Sequence, residues 1–249
     1  MKPYREVAQL IRDKGNIVAF TGAGISVESG IPAFRGAQGL WEKYDPAEYA
    51  DIRSFIREPA KVWGMLREMT RLIFDARPSS AHLALGALEK AGLLNAVVTQ
   101  NVDGLHQAAG NTDVIEYHGN SRQLICLNCQ GKTPFTEQVL AAIPYPMCDK
   151  CREPLKPDGV FFGEQIPSSA IARAHEVVQG CKIMMIIGTS GVVYPAAEIP
   201  FLAASRGAVV IEINVSSTPF TTSISRYFLD GSASQVLPEI LDELGLRID

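Results

Sequence analysis

No hydrophobic run in this sequence approaches the roughly 20 residues that a helix needs to cross a bilayer. A stretch such as Ile183–Ile187 falls far short, so no helical membrane span is expected. Basic charge is not in excess either: 23 Lys and Arg stand against 27 Asp and Glu, for a net charge of −4. A nucleic-acid surface needs clustered cations to displace counterions, so direct nucleic-acid binding is not expected. The acidic balance suits basic protein partners better. Internal repeats and low-complexity tracts are missing as well. The opening Met1-Lys-Pro-Tyr-Arg-Glu-Val mixes charge with apolar residues and shows no apolar stretch ahead of a small-residue cleavage site. No leader is therefore expected, and the cytoplasm is the expected compartment. What remains is an ordinary globular composition, 47% hydrophobic and 20% charged over 249 residues, enough for one large domain or two small ones.

Val7, Leu10 and Ile11 at helical spacing, with Gly15 as a stop, predict a first helix. Short Val-, Ile- and Met-rich runs predict buried strands at Asn16–Phe20, Ala96–Thr99, Val114–Tyr117, Lys182–Ile187 and Ala208–Ile213. Helical patterns lie between them at Ala81–Lys90, Ser168–Gln179, Ala196–Ser205 and Ser234–Leu244. Such alternation implies an α/β fold with a mostly parallel sheet covered on both faces. Two stretches break the rhythm. Residues 35–75 hold a Gly-rich aromatic loop and helical patterns around Ile52–Ile56 and Ala60–Phe74, and residues 121–157 hold cysteines, prolines and little periodicity. Both read as insertions that form a smaller module beside the sheet.

Four of the five cysteines make two C-x-x-C pairs, Cys126/Cys129 and Cys148/Cys151. Each pair can sit on a tight knuckle and present two sulfurs to one ion, so the set predicts one structural zinc ion with no open coordination position. Two disulfides or a redox pair are the competing reading, which a reducing compartment disfavours. Cys181, at the start of an apolar run, reads as a small buried filler.

Gly22-Ala23-Gly24 follows a buried strand, where bare backbone can approach a pyrophosphate. Alone this is a weak signal: the usual third glycine is replaced by Ile25-Ser26-Val27, and the acidic residue at suitable distance, Asp45, sits within Lys-Tyr-Asp-Pro. Two further polar clusters end predicted strands, Thr99-Gln-Asn-Val-Asp103 and Tyr117-His-Gly-Asn120. The carboxyl ends of buried parallel strands are where such sheets bind ligands.

Gly22-Ala-Gly-Ile-Ser26, Gly30-Ile-Pro-Ala-Phe-Arg35, Thr99-Gln-Asn-Val-Asp103, His118-Gly119, the cysteine pairs, Phe161-Phe-Gly-Glu164, Gly188-Thr-Ser190 and Ile213-Asn214 occur in the order seen in sirtuins. The resemblance spans roughly residues 16–240. It implies a Rossmann-like NAD-binding domain at residues 1–34, 76–120 and 158–249, with a small domain made of 35–75 and the zinc insertion 121–157. It also implies an NAD-dependent protein-lysine deacylase that releases nicotinamide and forms O-acyl-ADP-ribose from an acyl-lysine protein or peptide.

The family's roles carry over as follows. Ala23, Ile25, Phe34, Val102 and Asp103 line the nicotinamide pocket, and Arg35 faces the cofactor's phosphates. Gln100 and Asn101 contact the ribose or an ordered water, with Asn101 counted among the catalytic residues. His118 is the general base, suited to neutral pH by an ordinary pKa of about 6.5. Gly22, Gly24, Ser26, Gly188, Thr189, Ser190, Asn214 and Ala233 complete the cofactor contacts. Val160, Phe161 and Gly163 form the edge to which the peptide adds as a strand. Members that prefer acidic acyl groups carry Tyr and Arg where alignment on Val62-Trp63 puts Leu66 and Met69, so neutral acyl groups, acetyl first, are expected. Arg67 lies one helical turn from overturning that reading. Ala33, where many members have Asp, and Asp158-Gly159 before Val160 depart from the family pattern. A mono-ADP-ribosyltransferase on the same pocket and a non-catalytic NAD-sensing zinc-knuckle module remain the alternatives, and a monomer is the expected state.

Overall fold

The computed structural model describes residues 3–35 and 39–248. Nine strands in chain order are β1 (Ile17–Thr21), β2 (Leu94–Thr99), β3 (Val114–Glu116), β4 (Gly119–Cys126), β5 (Lys132–Pro134), β6 (Leu155–Gly159), β7 (Ile183–Ile187), β8 (Val209–Asn214) and β9 (Tyr227–Asp230). Six of them form one sheet in the order β3-β2-β1-β7-β8-β9, and every pairing in it is parallel. The chain builds outward from β1 on one side, then returns to β7 and builds outward on the other. A crevice therefore opens at the carboxyl ends of β1 and β7, where the winding reverses.

Alternation along the strands fills two cores. Ile17, Ala19, Val97, Met185 and Ile211 face the helices Tyr4–Lys14, Ser80–Lys90 and Ala233–Leu244. Their neighbours Val18, Phe20, Val98, Met184 and Val210 face Ser168–Gln179 and Glu198–Ser205. Successive side chains of a strand point to opposite faces, so a strand apolar at every position must be covered on both. The predicted strands and helices match these elements within a few residues. The strand β9 was not anticipated: Tyr-Phe-Leu-Asp is only four residues long, half-buried at the sheet edge, and has no alternation to read.

The two insertions share a third core. Phe55, Val62, Trp63 and Leu66, from the helices Ile52–Arg57 and Pro59–Asp75, pack on Leu124, Cys126, Phe135, Cys148 and Leu155. Most of the latter lie on or beside a three-stranded antiparallel sheet, β5-β4-β6, where periodicity had predicted no strands. The Trp63 indole N–H donates to the Leu155 carbonyl at 2.9 Å. Arg67 donates to the carbonyls of Ala142 and Pro144 at 2.6 and 2.5 Å, which ties the long helix to the cysteine segment.

Candidate active site

At the crevice lies a cleft of about 1020 Å³, at the upper end of the range for small-molecule sites. Of the residues expected to bind cofactor or substrate, all but Ile25 line it. Ile25 is 1% exposed and packs in the first core, so only its backbone belongs to the turn.

The turn after β1 is a 3-10 helix, Ala23–Ser29, rather than the start of an α-helix. Its glycines serve a close approach of two backbones. A Cβ on Gly24 would stand 2.6 Å from the Gly188 Cα, and one on Gly22 would stand 2.8 Å from the Gly188 carbonyl oxygen. The Gly24 N–H donates to Gly188 O at 2.8 Å and the Gly22 N–H to Ile187 O at 3.0 Å. Both donors are thus committed to the end of β7, and the floor of the crevice is a seam between two loops.

Polar side chains at the strand ends hold one another across that seam. The Ser26 hydroxyl donates to Asp103 Oδ2 at 2.7 Å, and the Leu105 N–H donates to Oδ1 at 3.0 Å. Burial pushes the Asp103 carboxyl above its ordinary value, against the pull of these two donors. The Asn101 amide donates to Gly22 O at 3.1 Å and to Ser26 Oγ at 3.2 Å. Gln100 donates to Thr189 Oγ1 at 2.9 Å, and Asn214 donates to Thr189 O at 2.8 Å. Residues from β1, β2, β7 and β8 therefore form one network. Among the described residues, Arg35 is the only Arg or Lys lining the cleft.

His118 sits in the turn between β3 and β4, its Nδ1 3.2 Å from the Gln100 carbonyl oxygen. A carbonyl can only accept, so Nδ1 carries the proton and Nε2 keeps a lone pair. Burial lowers the His118 pKa, partly opposed by that hydrogen bond, and the ring is neutral at pH 7. A neutral imidazole with a free Nε2 can take a proton from a hydroxyl.

On the small-module side, Met65, Leu66, Met69, Thr70 and Ile73 line the cleft from one face of Pro59–Asp75. Met65, Thr70 and Ile73 went unmarked in the sequence, although their spacing from Leu66 and Met69 puts them on one helical stripe. Arg67 turns away to the carbonyls of the cysteine segment. Asp45 is also removed from the chemistry: it caps the short helix Pro46–Tyr49 by accepting from the Ala47 N–H at 2.9 Å.

The four cysteine sulfurs lie within 4.8 Å of one another, with Cys126–Cys151 at 3.4 Å and Cys129–Cys148 at 3.6 Å. Tetrahedral zinc at about 2.3 Å from each sulfur requires S···S separations of about 3.8 Å, so the set fits the ion. Both knuckles close alike: Gln130 donates to Cys126 O and Arg152 to Cys148 O, each at 2.9 Å and each with positive φ, 58° and 61°. None of the four lines the cleft. Cys181 is buried at the end of the sheet, and that burial raises its thiol to about 11, as a filler requires.

Comparison with known proteins agrees with this geometry. The Sir2 family profile matches residues 22–195. The chain is 44% identical to NAD-dependent protein deacylase 2 of Pyrobaculum aerophilum, over 97% of this chain and 96% of that protein. It is 42% identical to the NAD-dependent protein deacylase of Pyrococcus furiosus, over 96% and 97% of the two. Among solved structures, a Sir2 homologue in complex with NAD matches with a TM-score of 0.90 at 40% identity, covering 96% of this chain and 93% of that one. A Sir2 structure with p53 peptide and NAD+ matches with a TM-score of 0.88 at 35% identity, covering 98% and 99%.

Proposed function

The chain belongs to the Sir2 family and is an NAD-dependent protein-lysine deacylase, and from that premise we propose how its own residues carry the reaction. In the overall change, acyl-lysine, NAD and water give free lysine, nicotinamide and O-acyl-ADP-ribose. The acyl oxygen bonds to the ribose carbon as the bond to nicotinamide breaks. A ribose hydroxyl then adds to the acyl carbon, the C–N bond to lysine breaks to free the amine, and water adds at that carbon to leave the acyl ester on ADP-ribose.

The single observation that carries the assignment of roles is the placement of His118, held with Nε2 free at the cleft while its Nδ1–H is anchored on Gln100. His118 takes the proton of the attacking ribose hydroxyl. Asp103, fixed by Ser26 and Leu105, accepts from the carboxamide N–H of nicotinamide. Ala23, Phe34 and Val102 wall that pocket, and Asn101 holds the floor in place through Gly22 and Ser26. Arg35 supplies positive charge for the pyrophosphate. Gly188, Thr189, Ser190, Asn214 and Ala233 receive the adenosine half, where Gln100 ties the two halves together.

Val160, Phe161 and Gly163 offer the edge for an extended acyl-lysine peptide. Leu66 and Met69 give its acyl group an apolar wall, and an acidic acyl group would be desolvated there without a partner. Neutral acyl groups, acetyl first, are the substrates. Zinc would be held by Cys126, Cys129, Cys148 and Cys151, where it would brace the small module 35–75 and 121–157. No described helix is long and apolar enough to cross a membrane. We place the enzyme in the cytoplasm, where its cysteines stay reduced for zinc.

The test is incubation with an acetyl-lysine peptide and NAD, with products resolved by mass. Deacetylated peptide, nicotinamide and acetylated ADP-ribose in equal amounts are expected. A peptide that keeps its acetyl group and gains ADP-ribose would replace this reading with transferase activity.

A further inference from the structure

Lys156 is a charge in an unusual place. It lies on β6, its side chain 2% exposed, in the segment that leads into the cleft wall Pro157–Glu164. Its ammonium donates to Pro157 O at 2.9 Å and to Gly159 O at 2.5 Å, and it pairs with Glu164 Oε2 at 3.0 Å. An ammonium has three donors, and here each has an acceptor. The same Nζ stands 4.4 Å from the centroid of the Phe161 ring. Glu164 Oε2 also accepts from the Phe161 N–H at 2.7 Å, while the Glu164 N–H donates to Phe161 O at 3.0 Å.

Other contacts pin the segment from both sides. The Val160 N–H donates to His118 O at 2.8 Å. The Phe162 N–H donates to Ala50 O at 2.8 Å, and Phe162 O accepts from the Ile52 N–H at 3.0 Å. A short loop that crosses between two modules is thus fixed at nearly every residue, with the buried Lys156 and the partly exposed Glu164 joining its two ends.

We propose that Lys156 and Glu164 are positioning residues for the acyl-lysine peptide: the pair fixes the backbone of residues 157–164, extended through Gly159 and turned at Phe161–Glu164, so that its edge stays in register for an added peptide strand. This rests on the reading of Val160, Phe161 and Gly163 as the peptide edge. Strand addition depends on main-chain registry, so a slack edge weakens peptide binding while the NAD pocket stays intact. A buried pair that loses one partner also leaves an uncompensated charge, whereas losing both to apolar groups is often tolerated. Position and stability can therefore be separated.

The experiment measures KM for an acetyl-lysine peptide and for NAD, with melting temperature, in Lys156→Met, Glu164→Leu and the double variant. Lys156→Met is expected to raise peptide KM about tenfold and to change NAD KM by less than about twofold. The double variant should melt close to the wild type, yet keep the raised peptide KM. If Lys156→Met does not fold, the double variant carries the test alone. Peptide KM near the wild-type value in any folded variant that lacks Lys156, or equal rises for both substrates, would overturn the proposal. A photo-crosslinking acetyl-lysine peptide on the wild type separates the underlying reading. Crosslinks away from residues 160–163 would remove the peptide edge itself, while crosslinks there with an unmoved KM would remove only the role of the pair.

Discussion

Around the NAD cleft, polar side chains from β1, β2, β7 and β8 hold one another: Ser26 on Asp103, Asn101 on Gly22, Gln100 on Thr189. In the small module, three short strands and a few helices converge on four cysteines, and the hydrogen bonds that tie the long helix to them come from Trp63 and Arg67. The first region rests on a large sheet whose central strands are buried on both faces, and its polar side chains hold one another directly. The second has strands of three, five and eight residues and one modest core. So small a core depends on an added staple.

The sharpest way to break that contrast is to take the metal away. Structural zinc contributes an apparent ~10–16 kcal/mol of folding free energy in small zinc units, so chelation should unfold the module. Both tryptophans, Trp41 and Trp63, pack in the small-module core, and Trp41 also lines the cleft, so tryptophan emission reports that region and the cleft wall it forms. Emission should shift toward that of exposed indole on chelation while far-UV circular dichroism keeps most of its signal. Deacylation should vanish, and zinc added in excess to intact enzyme should not accelerate it. Retained turnover in zinc-free protein would show that the cleft does not need the module.

On the other side of the comparison, His118→Ala removes one side-chain hydrogen bond and leaves the backbone link from Val160 to residue 118. Deacylation should fall by about 10²- to 10⁴-fold, the contribution of a positioned general base. NAD binding, followed by calorimetry, should change little, and tryptophan emission not at all. Turnover near the wild-type rate would mean that another group takes the proton.

The sheet was legible because its central strands, such as Ile17–Thr21 and Ile183–Ile187, are apolar at nearly every position and lie between helices of the 3.6-residue period. The cysteines were legible from spacing, since two knuckles and one ion need little else. Three things were hidden. The antiparallel sheet of the small module includes Leu-Lys-Pro-Asp-Gly, which reads as a turn, and only the structure shows Lys156 buried within it. Gly22 and Gly24 read as room for a phosphate; they line the cleft, and the structure adds a second neighbour they make room for, Gly188, more than 160 residues away in sequence. The stripe of Met65, Thr70 and Ile73 beside Leu66 and Met69 reads as core, because a helix that faces a cleft and one that faces a core share one pattern. Each miss involves a partner distant in the chain, which local periodicity does not report.

The smallest effect concerns two buried histidines beneath the cleft, a chemistry that the small module lacks because all four histidines lie outside it. The His82 and His106 rings meet edge to face at 4.9 Å, with Ser79 on one and Thr21 on the other. Burial lowers His82 from 6.5 to about 4. Burial, and then the neighbouring His82, lower His106 from 6.5 to about 3. Below the unfolded value of 6.5 the unfolded chain binds protons that the folded chain refuses, so stability rises with pH through this window and is lost on acidification from 6.5 toward 4. At pH 5.5, one unit below the unfolded value, each histidine costs about 1.4 kcal/mol. Together they should lower the melting temperature followed by circular dichroism by about 5 °C or more relative to pH 7.5. A circular-dichroism melting temperature that stays flat from pH 7.5 to 5.5 would show that the pair accepts protons in place. The cleft would then stand on a floor more open to water than its packing indicates.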